Sequence, residues 1–147
     1  MALNITKISD TYSTAPQIQP SDIAEIAQLG FKTIINNRPD LEGGAEQPSS
    51  DAIAEVAKQY GIHYVYIPVV PNQIQASQVD AFGKAYAASA KPVLGFCRTG
   101  NRASQMYSRA AAQQTSHTNT AFQALFAWMK SKCLITRFVR WVKTKHA

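Results

Sequence analysis

Three times along this chain a short run of β-branched or apolar residues is followed by a segment with helical spacing. That alternation constrains the fold more than any other feature. Parallel strands need a long crossover, and a helix is its usual form, so repeated strand–helix units imply a parallel sheet with covering helices. The first unit is Phe31-Lys32-Thr33-Ile34-Ile35-Asn36, then a helix from about Ser50 to Tyr60 with Ile53, Val56 and Ala57 inward and Gly61 as its cap. The second is His63-Tyr64-Val65-Tyr66-Ile67, ended by Pro68 and Pro71, then a helix from about Ala76 to Ser89 carrying Val79, Phe82 and Tyr86. The third is Pro92-Val93-Leu94-Gly95-Phe96, then a helix from Arg102 to Gln114. Ahead of them come short strands at Ile5–Ile8 and Tyr12–Thr14. Pro20-Ser21-Asp22 then opens a helix that Gly30 can stop, with Ile23, Ile26, Ala27 and Leu29 inward. The expected class is α/β, with a central, mostly parallel sheet of four or five strands flanked by helices.

Composition separates this body from the C-terminal stretch. The net charge of +6 invites a reading as a nucleic-acid or anionic-surface binder, but its distribution argues otherwise. All nine acids lie at or before Asp80, and residues 1–114 carry nine Lys+Arg against nine Asp+Glu. Residues 115–147 hold Lys130, Lys132, Arg137, Arg140, Lys143, Lys145 and no acid. The expected organisation is a neutral domain over residues 1–114 and a basic, amphipathic, helical tail over 115–147. No apolar run is long enough to span a membrane and the N-terminus lacks an apolar signal core, so a cytoplasmic protein is expected.

In parallel α/β sheets ligands bind outside the carboxyl ends of strands. Two loops leave such ends with suggestive chemistry, one after Ile35 and one after Phe96. The second is Cys97-Arg98-Thr99-Gly100-Asn101-Arg102. A loop between a strand and a helix aims successive N–H groups at one point, and the helix start adds positive potential, which suits an oxyanion. Cys97 stands in that field, which favours a reactive thiolate. Arg102 closes the loop and can fork onto two oxygens of a bound group, and Gly100 permits a positive φ or a close backbone approach. The competing reading makes Cys97 a small buried residue and Arg98 and Arg102 solvated charges. Cations are unfavourable at a helix start, which weighs against it.

These residues carry a resemblance. Thr33-Ile34-Ile35-Asn36-Asn37-Arg38-Pro39-Asp40, Tyr64-Val65-Tyr66-Ile67-Pro68-Val69 and Pro92 through Ser104 resemble the cysteine-dependent protein tyrosine and dual-specificity phosphatase superfamily. More narrowly, the chain resembles the bacterial phosphatase-like domain fused to, or encoded beside, β-lactamase-fold hydrolases. The resemblance implies a phosphatase-like fold and a metal- and cofactor-free phosphatase acting on phosphomonoesters, phosphotyrosine among them. Cys97 would form the phosphocysteine, Arg102 would bind phosphoryl oxygens, and Arg98, Thr99, Gly100 and Asn101 would complete the phosphate-binding loop.

Three departures accompany it. The superfamily places five residues between Cys and Arg, and this chain has four. Phe96 stands where a His usually precedes the nucleophile. The general acid of dual-specificity phosphatases would fall near Pro71-Asn72, which cannot protonate a leaving group. Asp40, on the loop after the preceding strand, is the candidate acid, against a simple role as a turn residue. Arg38 could pair with Asp40 or line the pocket, or be a surface charge. The four-residue loop and Cys-Arg-x-Gly-x-Arg wording are similar to the rhodanese sulfurtransferases, so a persulfide on Cys97 is the alternative enzyme. An oxyanion-binding regulatory module with little turnover is the non-enzymatic alternative.

The remaining candidates carry less. His63, His117, His146 and Cys133 lack metal-ligand spacing; His63 reads as structural and Cys133 as a packed or incidental thiol. In the tail, Phe122, Leu125, Phe126 and Met129 suit a helix docked on the body. Leu134, Ile135, Phe138, Trp141 and Val142 form an apolar face opposite Arg137, Arg140 and Lys143. That helix fits core completion, another subunit, a partner protein or a membrane surface. The expected partner of the body is a phosphorylated protein or small molecule. Nucleic acid is not expected, because the basic stretch lacks a recognised module.

Overall fold

The computed structural model describes residues 3–115, 123–125 and 127–128. The strands are β1 (Thr6–Lys7), β2 (Tyr12–Ala15), β3 (Thr33–Asn36), β4 (His63–Tyr66) and β5 (Val93–Phe96). The helices are α1 (Ile23–Gln28, entered through a 3₁₀ turn at Pro20–Asp22), α2 (Ser50–Gln59), α3 (Ala76–Ala88) and α4, whose described helical residues run 101–115. The chain divides into two compact units, Met1–Ala111 and Ala112–Ala147.

One five-stranded sheet runs in the order β1-β2-β5-β3-β4, parallel except for the antiparallel β1–β2 pair. The expected mixed α/β architecture with a mostly parallel sheet is what forms. The last strand in sequence among the described residues, β5, lies in the middle. It pairs with β2 through Tyr12↔Val93 to Ala15↔Phe96 and with β3 through Thr33↔Val93 to Asn36↔Phe96. β2, β3 and β5 are buried along their whole length, as inner parallel strands covered on both faces must be. The edge strands are exposed or half-exposed.

Alternation along the strands splits the core into two halves. Ile34, Leu94 and Phe96 pack with Ile23, Ile26 and Ile53 of α1 and α2. Ile35 and Val93 pack with Val79, Phe82 and Met106 of α3 and α4. Tyr12 belongs to the second half, stacked on Tyr107 at 4.4 Å and edge-on to Phe82 and Tyr86. Its ring lies over Gly95, where a Cβ would stand 1.9 Å from the Tyr12 hydroxyl oxygen, and that hydroxyl donates to the Ala103 carbonyl. Burial foremost, then the nearby Cys97, pushes the Tyr12 hydroxyl far above its ordinary pKa, so it remains a neutral donor.

One expectation needs correction. Leu29, expected inward, is 56% exposed, because α1 ends at Gln28 and the chain already turns toward Gly30 at φ +88°. His63 opens the edge strand β4, where it is exposed. In the tail, 123–125 and 127–128 are helical. Phe122, Phe126, Met129 and the basic amphipathic stretch from Lys130 onward, with Cys133, His117 and His146, lie outside the described residues. Among the described residues, no helix is long and apolar enough to cross a membrane.

Candidate active site

The Cys97–Arg102 loop leaves β5 at the carboxyl edge of the sheet and enters α4. Cys97 is 1% exposed and its Sγ accepts the Gly100 N–H at 3.1 Å, so one loop donor already points at the sulfur. Gly100 takes φ +92°, a left-handed conformation that a side chain would strain. Ser104 N–H donates to the Gly100 carbonyl at 3.0 Å, starting the helix. Just beyond the end of β2, Gln17 N–H donates to the Arg98 carbonyl at 3.3 Å. The loop is thus fixed from β2 and α4 while its tip, Arg98 and Thr99, stays exposed.

Two cavities flank that tip. One, of about 280 Å³, is lined by Arg102, Arg98, Thr99 and Asn101 together with Pro71, Asn72 and Gln105. The other, of about 230 Å³, lies toward β1 and is lined by Arg98, Thr99, Gly100, Thr14, Asn4 and Thr6 together with Ala15 and Pro16. Arg98 faces both. Among the described residues, no hydrogen bond or ion pair engages its guanidinium.

Arg102 is held from behind. Its Nη1 donates to the Val69 carbonyl and its Nη2 to the Glu42 carboxylate at 2.8 Å. Arg38 donates from Nε to the same carboxylate at 2.8 Å, and from Nη1 to Gln17 Oε1 at 2.8 Å. Arg38 and Arg102 are each 8% exposed, so the two guanidiniums and the single carboxylate between them form a nearly buried charge cluster. Burial works against the charged form of Glu42, but hydrogen bonds from Arg102 and Arg38 outweigh it and hold the carboxyl below its usual range. Glu42 therefore stays a carboxylate and acts as the anchor of Arg102. An arginine has five N–H donors; with these partners satisfied, Nε–H and a further terminal N–H of Arg102 remain for a ligand. Gly43 makes room for the cluster, since a Cβ there would stand 2.6 Å from Arg38 Nη2.

The Val69 carbonyl that holds Arg102 is itself fixed. Asn37 follows β3, next to Cys97 in the register, and donates its N–H to the Phe96 carbonyl at 2.9 Å. Its Nδ2 donates to the Ile67 carbonyl at 3.0 Å, and its own carbonyl accepts the Val69 N–H at 3.2 Å.

The candidate residues thus fall into two sets. Cys97, Arg98, Thr99, Gly100, Asn101 and Arg102 form one continuous loop, and Arg38 lies behind it, paired with Glu42 and not with Asp40. Asp40 is placed elsewhere: its Oδ1 accepts the Ser50 N–H at 2.8 Å at the start of α2, and its own N–H donates to the Tyr66 hydroxyl at 2.9 Å. Orphan donors at a helix start attract a carboxylate, and that demand takes Asp40 away from the cavities, neither of which it lines. Tyr64 likewise has a structural role, meeting Ser50 Oγ and Asn36 Nδ2, with burial foremost in pushing its hydroxyl up to about 12. Sequence reasoning missed Glu42 and Gln17. The signal for Glu42 was its i+4 spacing from Arg38 on a loop at a strand's carboxyl end; Gln17 carried none. Among the described residues, no three His, Cys, Asp or Glu side chains come together as a metal site.

A parallel sheet whose central strand delivers a cysteine into an arginine-closed loop is the arrangement of the cysteine-dependent phosphatase-like folds. The chain belongs to the family of the phosphatase-like domain of β-lactamase hydrolase-like proteins, whose profile matches residues 4–114. It is similar to the β-lactamase hydrolase-like protein of Xylella fastidiosa, 31% identical over 105 residues, 71% of this chain and 24% of that protein. The chain therefore matches about a quarter of the length of these curated relatives. Among solved structures it is similar to a phosphatase candidate from Neisseria meningitidis, at 38% identity and a TM-score of 0.65, covering 70% of this chain and 72% of that one. A phosphatase candidate from Shewanella putrefaciens, 22% identical with a TM-score of 0.64 and covering 76% of this chain and 69% of that one, shares the fold.

Proposed function

We propose that this domain hydrolyses phosphate monoesters through a cysteinyl-phosphate intermediate. In this reading the Cys97 thiolate attacks phosphorus, the S–P bond forms and the bond to the leaving oxygen breaks. Loop N–H groups and the free edge of Arg102 hold the non-bridging oxygens as charge shifts onto them. Water then attacks the thiophosphate, phosphate leaves and the thiolate returns. The observation that carries the reading is the loop itself: a buried sulfur already receiving the Gly100 N–H, with Arg102 held on the adjoining cavity by Glu42 and Val69. Family membership and the likeness to the Neisseria meningitidis phosphatase candidate support the same chemistry. A phosphorylated protein or small molecule is the corresponding substrate, phosphotyrosine among the candidates.

The test sets p-nitrophenyl phosphate against thiosulfate plus cyanide, with Cys97→Ser as control. Phosphate release that Cys97→Ser abolishes is the expected result. Thiocyanate formation without phosphate release would replace this reading by sulfur transfer. Tight binding of vanadate with negligible turnover would make the loop an oxyanion sensor.

A further inference from the structure

We infer that the substrate of this site is a phosphoric anhydride, whose leaving group is itself a phosphate and departs without a proton. The inference rests on the phosphoryl-transfer reading above and narrows its substrate class.

A leaving alkoxide needs a proton, and among the described residues no carboxyl or imidazole group lines the site to give one. An alkyl phosphate releases a strongly basic alkoxide, and a positioned acid typically supplies about 10²–10⁴-fold in that step. The nine carboxyl groups of the chain all lie at or before Asp80, within the described residues. None of them lines either cavity beside the loop. The two on the loop that follows β3 are both engaged, Asp40 at the start of α2 and Glu42 between two guanidiniums. The cavities present amides, threonine hydroxyls and guanidiniums instead, and an arginine is too weak an acid to protonate an alkoxide. The position of Asn72 on the rim brings an amide, not an acid.

The charges point the same way. Arg38, Arg98 and Arg102 bring three positive charges and Glu42 one negative, so two are left at the mouth. Arg102 serves the transferred phosphoryl group. Arg98, exposed at the loop tip between the two cavities with no partner among the described residues, is left over. A guanidinium in that position forks onto a second phosphate, and an anhydride is the substrate that brings one. Cys97 Sγ bonds to the terminal phosphorus, the bond from that phosphorus to the bridging oxygen breaks, and the electron pair leaves on that oxygen as a phosphate held by Arg98. Water then attacks the thiophosphate, the S–P bond breaks, orthophosphate forms and the surplus proton passes to solvent.

The experiment measures kcat/KM of the full chain for inorganic pyrophosphate, p-nitrophenyl phosphate and β-glycerophosphate, with and without Arg98→Ala, against Cys97→Ser. The expected result is a preference for pyrophosphate over β-glycerophosphate of about 100-fold or more, the contribution of the missing acid. Arg98→Ala lowers the pyrophosphate value about tenfold more than the p-nitrophenyl phosphate value, as loss of a charge-assisted contact predicts. A smaller preference for pyrophosphate, or equal losses on both substrates, overturns the proposal while the phosphatase reading stands. No Cys97-dependent turnover of any of the three overturns both.

Discussion

Glu42 and Arg102 stand 60 residues apart in the chain, yet a carboxylate oxygen of one lies 2.8 Å from Nη2 of the other. The same carboxylate holds Arg38, so one acid orients two arginines and leaves one edge of Arg102 turned to a ligand. Replacing Glu42 by Gln keeps the shape and removes the charge. The expected effect on p-nitrophenyl phosphate hydrolysis is a fall of about 10- to 100-fold in kcat/KM, the scale that misplacement of a binding group produces. The loss should appear mostly as a higher KM, because Arg102 remains present but is no longer aimed. Steady-state kinetics with Glu42→Gln beside Glu42→Ala reads the split, and an unchanged KM would remove the anchoring role.

The Glu42 cluster also sets a pH dependence of stability. Its folded-state pKa lies below the ordinary carboxylate value, so its contribution is present above that value and is lost as pH falls through the lowered one. Wild type and Glu42→Gln should therefore differ in Tm at neutral pH and converge at strongly acid pH. Thermal melts from pH 7 down to about 3, below the reference glutamate value, check this. Parallel curves across the range would mean that the pairing stabilises nothing.

A structural prediction concerns Gly95. A methyl group there would meet the Tyr12 hydroxyl oxygen at 1.9 Å and its Cζ at 2.7 Å, and the Ala103 Cβ closes the other side at 3.2 Å. The ring is held by Phe82, Tyr86 and Tyr107 and has no room to retreat. Gly95→Ala should destabilise by about 1–3 kcal/mol, the usual range for overpacking, read as a lower urea midpoint at unchanged m-value. Tyr12→Phe should cost about 1 kcal/mol through the hydrogen bond lost to Ala103.

The rim gives a gain-of-function test. Asn72 lines the cavity that Arg102 opens onto and has φ +59°, a left-handed conformation that Asp tolerates about as well as Asn. Asn72→Asp should raise β-glycerophosphate turnover relative to p-nitrophenyl phosphate by up to about 100-fold and add a descending limb to the pH–rate profile as pH rises through the pKa of the new acid. An unchanged ratio would place the leaving group on the β1 side of the loop.

Much of the molecule is legible in its sequence because local chemistry and global fold agree. The β-branched run at Thr33–Asn36 and the apolar run at Val93–Phe96 mark inner strands, and a cysteine directly after such a run marks the carboxyl edge. The contiguous loop from Cys97 to Arg102 can be read because its function depends on neighbours in sequence. The parts that escape depend on distance. Glu42 meets Arg102 across two loops, and no spacing rule links positions 60 residues apart. Asp40 misleads for the complementary reason: the loop it lies on leads to the site, but the unpaired N–H of Ser50 is the nearer claim on its carboxylate. The tail's periodicity announces a helix without announcing what it touches.

The place of β5 has a consequence for synthesis. Among the described strands it is the last made and the centre of the sheet, and its neighbours β2 and β3 are joined through it. Until Val93–Phe96 emerges, the earlier strands have no common partner, so a nascent chain carries two separate fragments of sheet. The nucleophile, its arginine and the strand that unites the fold are finished together. A chain interrupted before that point holds Glu42 and Arg38 with nothing to orient, and no half-formed version of the reactive centre precedes the complete one.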